Sequence, residues 1–406
     1  MPSKKPAGLF DEFARTEQPP GKYSEDSFSF HNRVAGPAWE RIRDRLDTWY
    51  AAFPDDDGNL RRRFRSPDPR QHFAAWWELY LHAVFTALGF ELTVHPTVPG
   101  SKGHPDFLVE HAGEPFYLEG ATVSSGIVAG GRRARLEAEV QDVINTIDAP
   151  LVMVSMQYDR VTDKMPRKRD IVEPIKSWLA TIDADELLAR SEPAPYEPFT
   201  FGGWEVQLRP IPFSLEARGC PQNQLIGSPG AIGGFTNDVA KLRSAILYKR
   251  KHYGTPNKPL VIAVLALNGF VDNRDVENAL FGNEAVKVEI ATGATRITRS
   301  PDGVWIGKRG PAAKRMSALL MGVGIVPRTC ATAWPRLWHH LDPRYRLEAD
   351  LPFSTVRLVP DELVSTDAIR SASDVLGLPA DWPGPEPLFP RCAHRPGDHQ
   401  VPPMAD

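Results

Sequence analysis

The amino-acid sequence predicts a mixed α/β fold. Helical and strand patterns alternate along most of the chain, and the first of them follow the order helix, three strands, helix, strand. Hydrophobic residues make up 42% and charged residues 24% of the 406 residues, which is the usage of a globular protein. A chain of this length can hold two or three domains, or one large domain with insertions.

The first third of the chain carries the clearest patterns. Residues 1–33 are polar and rich in proline, serine and charge, so we expect them to be poorly ordered or loosely docked. Apolar residues recur at helical spacing in 36–53 and in 71–90, where Gly89 marks the end of a helix of about five turns. Short apolar or alternating runs then predict three strands: ELTVHP at 91–96, DFLVEH at 106–111 and PFYLEGAT at 115–122.

Further elements are predicted downstream. They are helices at 132–147, 171–190 and about 236–253, and strands at 151–158, 204–213 and 259–267, with a proline-rich linker at 191–199. We therefore place a core at 34–270 that contains a large insertion at about 126–235. A C-terminal α+β extension at 271–381 and a proline-rich tail at 382–406 complete the predicted organisation.

Two acidic residues are predicted to face each other on adjoining strands. A tight turn centred on Ala112 and Gly113 places Asp106 directly opposite Glu119. Directly opposed side chains point to the same face, with Cβ atoms roughly 4.5–5.5 Å apart, and like charges placed so are destabilising. A basic partner, a raised pKa or a bound cation relieves this repulsion. Mg²⁺ prefers carboxylate oxygens, water and phosphate as ligands, which suits metal-assisted hydrolysis of a phosphodiester.

A third acid, Glu78, lies in the long apolar helix that precedes these strands. His82 and Thr86 follow at four-residue steps, so the three residues form one narrow polar stripe. The stripe either faces solvent or turns Glu78 toward the strands, where it would add a metal ligand or position a water molecule.

The order of these residues resembles the restriction-endonuclease-like PD-(D/E)XK superfamily. The resemblance rests on a helix glutamate, then Pro105-Asp106, then an apolar strand with Glu119, and it covers about 71–125, with a looser match at 236–267. It implies a core of helix, three strands, helix and strand that cleaves phosphodiesters with Mg²⁺ or Mn²⁺. Asp106, Glu119 and Glu78 would be its metal ligands and catalytic acids.

The sequence departs from this motif at one position. The family's lysine would lie two residues after Glu119, where this chain has Ala121. A lysine there would hold the attacking water and stabilise developing negative charge. We consider Lys249 and Lys102 as replacements, with Lys241, Arg250 and Lys251 as competitors; any of these basic residues can equally belong to a solvated surface.

Bulk properties restrict the other possibilities. The net charge is −3, so contact with nucleic acid requires a local basic patch such as Arg61–Arg65 or Lys164–Arg169. The cysteines Cys220, Cys330 and Cys392 form no CxxC motif, and no run of about 18 apolar residues or signal peptide is recognised. We expect a cytoplasmic protein without a structural zinc site or a membrane partner.

These observations favour a Mg²⁺-dependent or Mn²⁺-dependent nuclease that acts on DNA. One alternative is a catalytically inactive nuclease fold that serves as a nucleic-acid or protein binding module, which Ala121 favours. A second alternative is another metal-dependent hydrolase, or a purely structural network of ion pairs.

Overall fold

A computed structural model describes residues 8–101, 103–110, 114–124, 131–218, 224–227, 238–250, 256–267, 271–288, 293, 295–359 and 362–386. The helices are α1 Ser27–Arg33, α2 Pro37–Ala52, α3 Asn59–Phe64, α4 Pro69–Ala87, α5 Arg132–Ile144, α6 Lys168–Leu179, α7 Ala184–Ala189, α8 Asp238–Arg250, α9 Asn273–Phe281 and α10 Ala372–Leu376. The strands are β1 Glu91–Val94, β2 Phe107–Glu110, β3 Phe116–Val123, β4 Val152–Arg160, β5 Glu197–Phe201, β6 Trp204–Pro212, β7 Leu260–Ala266, β8 Glu284–Val288, β9 Thr295–Arg299, β10 Ile306–Gly307, β11 Gly310–Pro311, β12 Ala318–Val323, β13 Arg336–His339, β14 Ser354–Val359 and β15 Glu362–Thr366.

The predicted α/β class is confirmed, and its centre is a mixed sheet. Among the described strands this sheet has the order β1-β2-β3-β7-β12-β13-β14-β15. The pairs β1–β2 and β2–β3 are antiparallel, whereas β3, β7 and β12 run parallel to one another. Strand β7 is buried along its whole length, as expected for a parallel strand covered on both faces.

Helices cover the two faces of the central strands. Helix α4 is apolar around most of its circumference and packs into one hydrophobic cluster with alternate residues of β2, β3 and β7. Helices α8 and α9 cover the opposite face, against the intervening residues of the same strands. Side chains that alternate along β3 therefore point either toward α4 or toward α8.

The long helix α4 begins and ends at residues that suit these positions. The Asp68 side chain accepts a hydrogen bond from the Arg70 N–H, and Pro69 occupies the first turn, where its missing N–H costs nothing. Gly89 follows the last turn with a φ of 85°, a left-handed conformation that glycine adopts without steric strain. The helix end predicted at Gly89 is thus observed.

The predicted insertion contains a small sheet of its own, with the order β4-β6-β5. It packs with α5 and α6 around the fully buried Trp204. Two predictions in this region are corrected. The helix expected at 171–190 is divided into α6 and α7, because the Asp183 side chain caps a new helix start at the N–H groups of Asp185 and Glu186. Part of the expected linker forms β5, an edge strand that tolerates Pro198.

The two ends of the described chain also differ from expectation. Residues 8–33 are not loosely docked: Leu9, Phe10 and Phe28 are buried in the cluster that contains α4, so this expectation is wrong for them. The strands β12–β15 of the predicted C-terminal extension continue the central sheet through the β7–β12 pair. Trp382, at the start of the predicted tail, donates to the Pro327 carbonyl at 2.9 Å. No helix among the described residues is both long and apolar enough to cross a lipid bilayer.

Candidate functional site

Three polar residues lie in one row at one end of the first two strands: His95 directly follows β1, Asp106 directly precedes β2, and Glu119 lies on β3. The β2–β3 register pairs Phe107 with Leu118, which continues to Asp106 opposite Glu119 as the hairpin arithmetic predicted. The β1–β2 register pairs Val94 with Phe107 and continues in the same way to His95 opposite Asp106. The Asp106 backbone joins both neighbours: its carbonyl accepts from the His95 N–H at 3.0 Å, and its N–H donates to Glu119 Oε2 at 3.2 Å.

A cavity of about 400 Å³ opens beside this row. It lies where β3 extends beyond the start of β2, so that Gly120–Val123 pair with β7 on one side only within the described sheet. Helix α4 contributes from one face of the sheet and helix α8 from the other. The lining residues are Arg63, Ala74, Trp77, Glu78, Asp106, Gly120, Ala121, Thr122, Ala245, Tyr248 and Lys249.

Asp106 is held at the wall of the cavity by the backbone of β3. Its Oδ2 atom accepts a hydrogen bond of 2.7 Å from the Gly120 N–H. Burial raises the pKa of Asp106 well above its ordinary value, and the negative charges of Glu78 and Glu119 raise it further. A positive charge beside this carboxylate would therefore be strongly stabilised.

Glu78 faces the strands rather than solvent, although it lies on a helix of apolar residues. Its carboxylate accepts two hydrogen bonds from the Arg63 guanidinium, at 2.6 and 2.5 Å, and its residue is 7% exposed. Burial alone would lower the pKa of Arg63, but the bonds and charge of Glu78 more than offset this and raise it. His82, the next member of the predicted stripe, is also buried, against Phe53 and Phe107, so the solvent-facing alternative is wrong for these two residues.

Glu119 is paired with a lysine from the opposite face of the sheet. Its Oε1 atom lies 2.5 Å from Lys249 Nζ on α8, and its side chain is only 1% exposed, against 30% for the lysine. Burial alone would lower the pKa of Lys249, but the charges of Glu119 and Asp106 raise it above its ordinary value. Lys249 therefore stays protonated, and its partly exposed side chain lines the cavity.

A group of possible metal ligands forms at one side of this site. One ligand atom from each of Glu78, His95 and Asp106 lies within 4.8 Å of the other two. Glu119, which the sequence predicts as a ligand, is not in this group and contacts Lys249 instead. His95 was missed because its opposition to Asp106 depends on a pairing across the long 95–106 connection, and a register cannot be counted through such a loop.

The charges around the cavity leave an excess of one negative charge. When all are ionised, three carboxylates (Glu78, Asp106 and Glu119) face the two cations Arg63 and Lys249. A divalent cation would reverse the sign of the local charge and so favour an anion in the cavity. The oxygen-rich composition of the group and the burial of Asp106 both fit such an ion.

The remaining predicted basic residues are distributed differently. Lys102 and Lys251 lie outside the described residues, and Lys241 is exposed on α8. The basic cluster near Arg61 is largely structural: Arg61 donates to the Gly8 carbonyl, Arg65 to the Leu9 carbonyl and to Asp11, and Arg63 to Glu78.

No protein-family model, curated protein or solved structure matches this chain. Its chemistry has therefore to be inferred from the residues around the cavity.

Proposed function

We propose that this protein is a metal-dependent phosphodiester hydrolase, a nuclease that acts on DNA through a site of the PD-(D/E)XK type. The observation that carries the proposal is the convergence of Glu78, Asp106 and Lys249 on one open cavity, with the buried Glu119 paired to the lysine. These residues come from α4, from the position before β2, from β3 and from α8, and a buried group of charges adds little net stability compared with apolar residues of similar size. Costly arrangements of charge in a cleft are typical of functional sites.

Lys249 supplies the ammonium group that the motif lacks at Ala121. Both residues line the same cavity, and Lys249 approaches from α8 while Ala121 stands on β3. An ammonium group there can donate a hydrogen bond to a phosphate oxygen or to the attacking water and so stabilise negative charge as the reaction proceeds. Glu119 is a positioning residue, because its Oε1 atom holds Lys249 Nζ at a distance of 2.5 Å.

The acids around the cavity fit a divalent cation. Asp106 and Glu78 would hold it, with the Gly120 N–H and the Arg63 guanidinium fixing the orientation of the two carboxylates. When bound, such an ion would neutralise charge on a phosphodiester and activate water for attack. In the overall reaction water adds to phosphorus and the P–O bond to the leaving oxygen breaks, which yields a phosphomonoester and a hydroxyl group.

Tyr248 favours a nucleic acid over a simpler phosphodiester. Its ring lines the cavity next to Lys249 and is 64% exposed, which is unusual for so large an aromatic side chain. An exposed ring beside a phosphate site can stack on a nucleobase, a contact worth about 1–3 kcal/mol per base.

The test compares purified wild-type protein with Asp106→Asn, Lys249→Met and the control Lys241→Met, an exposed lysine on the same helix. Single-stranded and duplex DNA, RNA and a small chromogenic phosphodiester are incubated with Mg²⁺, Mn²⁺ or EDTA. We expect metal-dependent cleavage of DNA that falls at least about 100-fold in the first two variants and is unchanged in the control. Absence of cleavage by the wild-type protein under all conditions, or undiminished cleavage by Asp106→Asn, would overturn the proposal.

A binding module is the second candidate, and Ala121 is the residue that favours it. Metal-dependent retention of DNA without cleavage, abolished in Asp106→Asn, would support that candidate in place of the hydrolase.

A further inference from the structure

His95 has an unusual backbone conformation at the edge of the candidate site. Its φ of 47° lies in the left-handed region, which residues other than glycine rarely adopt. The conformation is held in place by the bond from its N–H to the Asp106 carbonyl. In the part of the chain that the structure describes, the imidazole itself has no hydrogen-bond or ion-pair partner. The local backbone thus places an exposed ring beside two carboxylates, and no hydrogen bond from another described residue to the ring accounts for it.

The imidazole changes the kind of ion that the site favours. Mg²⁺ binds oxygen ligands and keeps several waters, so a ring nitrogen contributes little to its affinity. First-row transition metals accept imidazole nitrogen together with carboxylate oxygen, and their affinity for such sites rises from Mn²⁺, the member most similar to Mg²⁺, through Fe²⁺ and Co²⁺. A ligand set of two carboxylates and one imidazole therefore discriminates between these classes of cation.

The three side chains are close enough to share one ion. Bonds of about 2.0–2.2 Å keep the ligand atoms of a common metal within about 4.4 Å of one another. The ligand atoms of Glu78, His95 and Asp106 lie within 4.8 Å of one another, so small side-chain rotations bring them onto a common ion. Two of the three are already fixed by donors from the protein, Glu78 by Arg63 and Asp106 by the Gly120 N–H.

We infer that this site binds a first-row transition-metal ion in preference to Mg²⁺, with the His95 imidazole as its nitrogen ligand beside Asp106 and Glu78. The inference rests on the proposed function in one respect only, since it names the ion for the same two acids, Glu78 and Asp106.

Metal binding is measured without nucleic acid, by calorimetric titration of the full chain with Mn²⁺ and separately with Mg²⁺. His95→Gly removes the ring and keeps a residue that accepts the left-handed backbone, so the fold should be retained. His104→Ala is the matched control, because His104 is an exposed histidine of the same connection whose ring contacts the Pro96 carbonyl. Pulsed electron paramagnetic resonance of bound Mn²⁺ reports directly on a nitrogen ligand.

We expect the wild-type protein to bind Mn²⁺ at least about tenfold more tightly than Mg²⁺, and His95→Gly to lose about tenfold or more of the Mn²⁺ affinity alone. The control should bind both ions as the wild type does, and a nitrogen coupling present in the wild type should disappear in His95→Gly. Equal losses for both ions, or a wild-type Mn²⁺ spectrum without nitrogen coupling, would overturn the inference.

These outcomes separate the inference from the proposed function. A wild-type protein that binds Mn²⁺ through His95 but cleaves no nucleic acid contradicts the nuclease alone. A protein that cleaves DNA with Mg²⁺ equally well with or without His95, and shows no nitrogen coupling, contradicts this inference alone.

Discussion

Removal of the Lys249 ammonium group should destabilise the protein because it leaves a buried carboxylate without its cation. Glu119 is 1% exposed, and its Oε1 atom lies 2.5 Å from Lys249 Nζ. Breaking a fully buried ion pair by removing one partner costs about 3–5 kcal/mol. Lys249 is 30% exposed, so water screens the pair in part, and we expect about 2–3 kcal/mol for Lys249→Met.

The free energy of unfolding is measured by urea denaturation at pH 7 for four proteins: the wild type, Lys249→Met, Glu119→Gln and the double variant. The double variant replaces both charges by neutral groups of similar size, so it should recover most of the loss and lie within about 1 kcal/mol of the wild type. Lys241→Met on the same helix serves as the control and should change stability by less than about 0.5 kcal/mol.

Two results would refute this reasoning. A cost below about 0.5 kcal/mol for Lys249→Met would mean that Glu119 finds another partner or sufficient water. A double variant that is less stable than Lys249→Met would mean that the Glu119 carboxylate stabilises the fold without the lysine, so that its charge is not left uncompensated.

Three further changes test the surroundings of the cavity. Gly120→Ala should destabilise the fold by about 1–2 kcal/mol in urea denaturation. The added methyl carbon would lie 3.1 Å from Asp106 Oδ2 and 3.2 Å from a carbon of the Trp77 indole, which is too close for both. An unchanged midpoint of denaturation would contradict this prediction. Arg63→Met should cost about 3 kcal/mol by leaving Glu78 unpaired, whereas the exposed Arg62→Met should not. Burial lowers the pKa of His82 to about 4, below about 6.5 in the unfolded chain. The unfolded chain therefore binds a proton more readily at this histidine, so the free energy of unfolding is unaffected above pH 6.5 and decreases as the pH falls toward 4. In urea denaturation the wild type should therefore lose about 3 kcal/mol more between pH 7 and pH 4 than His82→Leu does.

The elements around the site could be predicted from the sequence because their signals are local. The apolar pattern of α4, Gly89 at its end and the short β2–β3 turn depend on residues within a few positions of one another. The opposition of Asp106 and Glu119 followed from counting back along both strands of that hairpin. The same counting could not reach His95, because the connection between β1 and β2 is too long to specify a register.

The partners of the acids were decided by the tertiary structure. Lys249 lies 130 residues from Glu119, and an insertion with its own small sheet separates them. The choice of Lys249 over Lys241 depends on which face of α8 packs against β3, and a basic helix with little apolar asymmetry does not reveal that face. Arg63 belonged to a run of arginines that also fits a phosphate contact, and only its position beside Glu78 assigns it to the ion pair.

Local periodicity and turn chemistry thus determined the strands, the helix and the hairpin that bring two acids together. Which cations meet those acids, and whether an imidazole joins them, depended on how distant segments pack across the sheet. Such contacts produce no periodic pattern in the sequence, because a single charged residue on a helix has the same sequence context whether it faces water or a buried carboxylate.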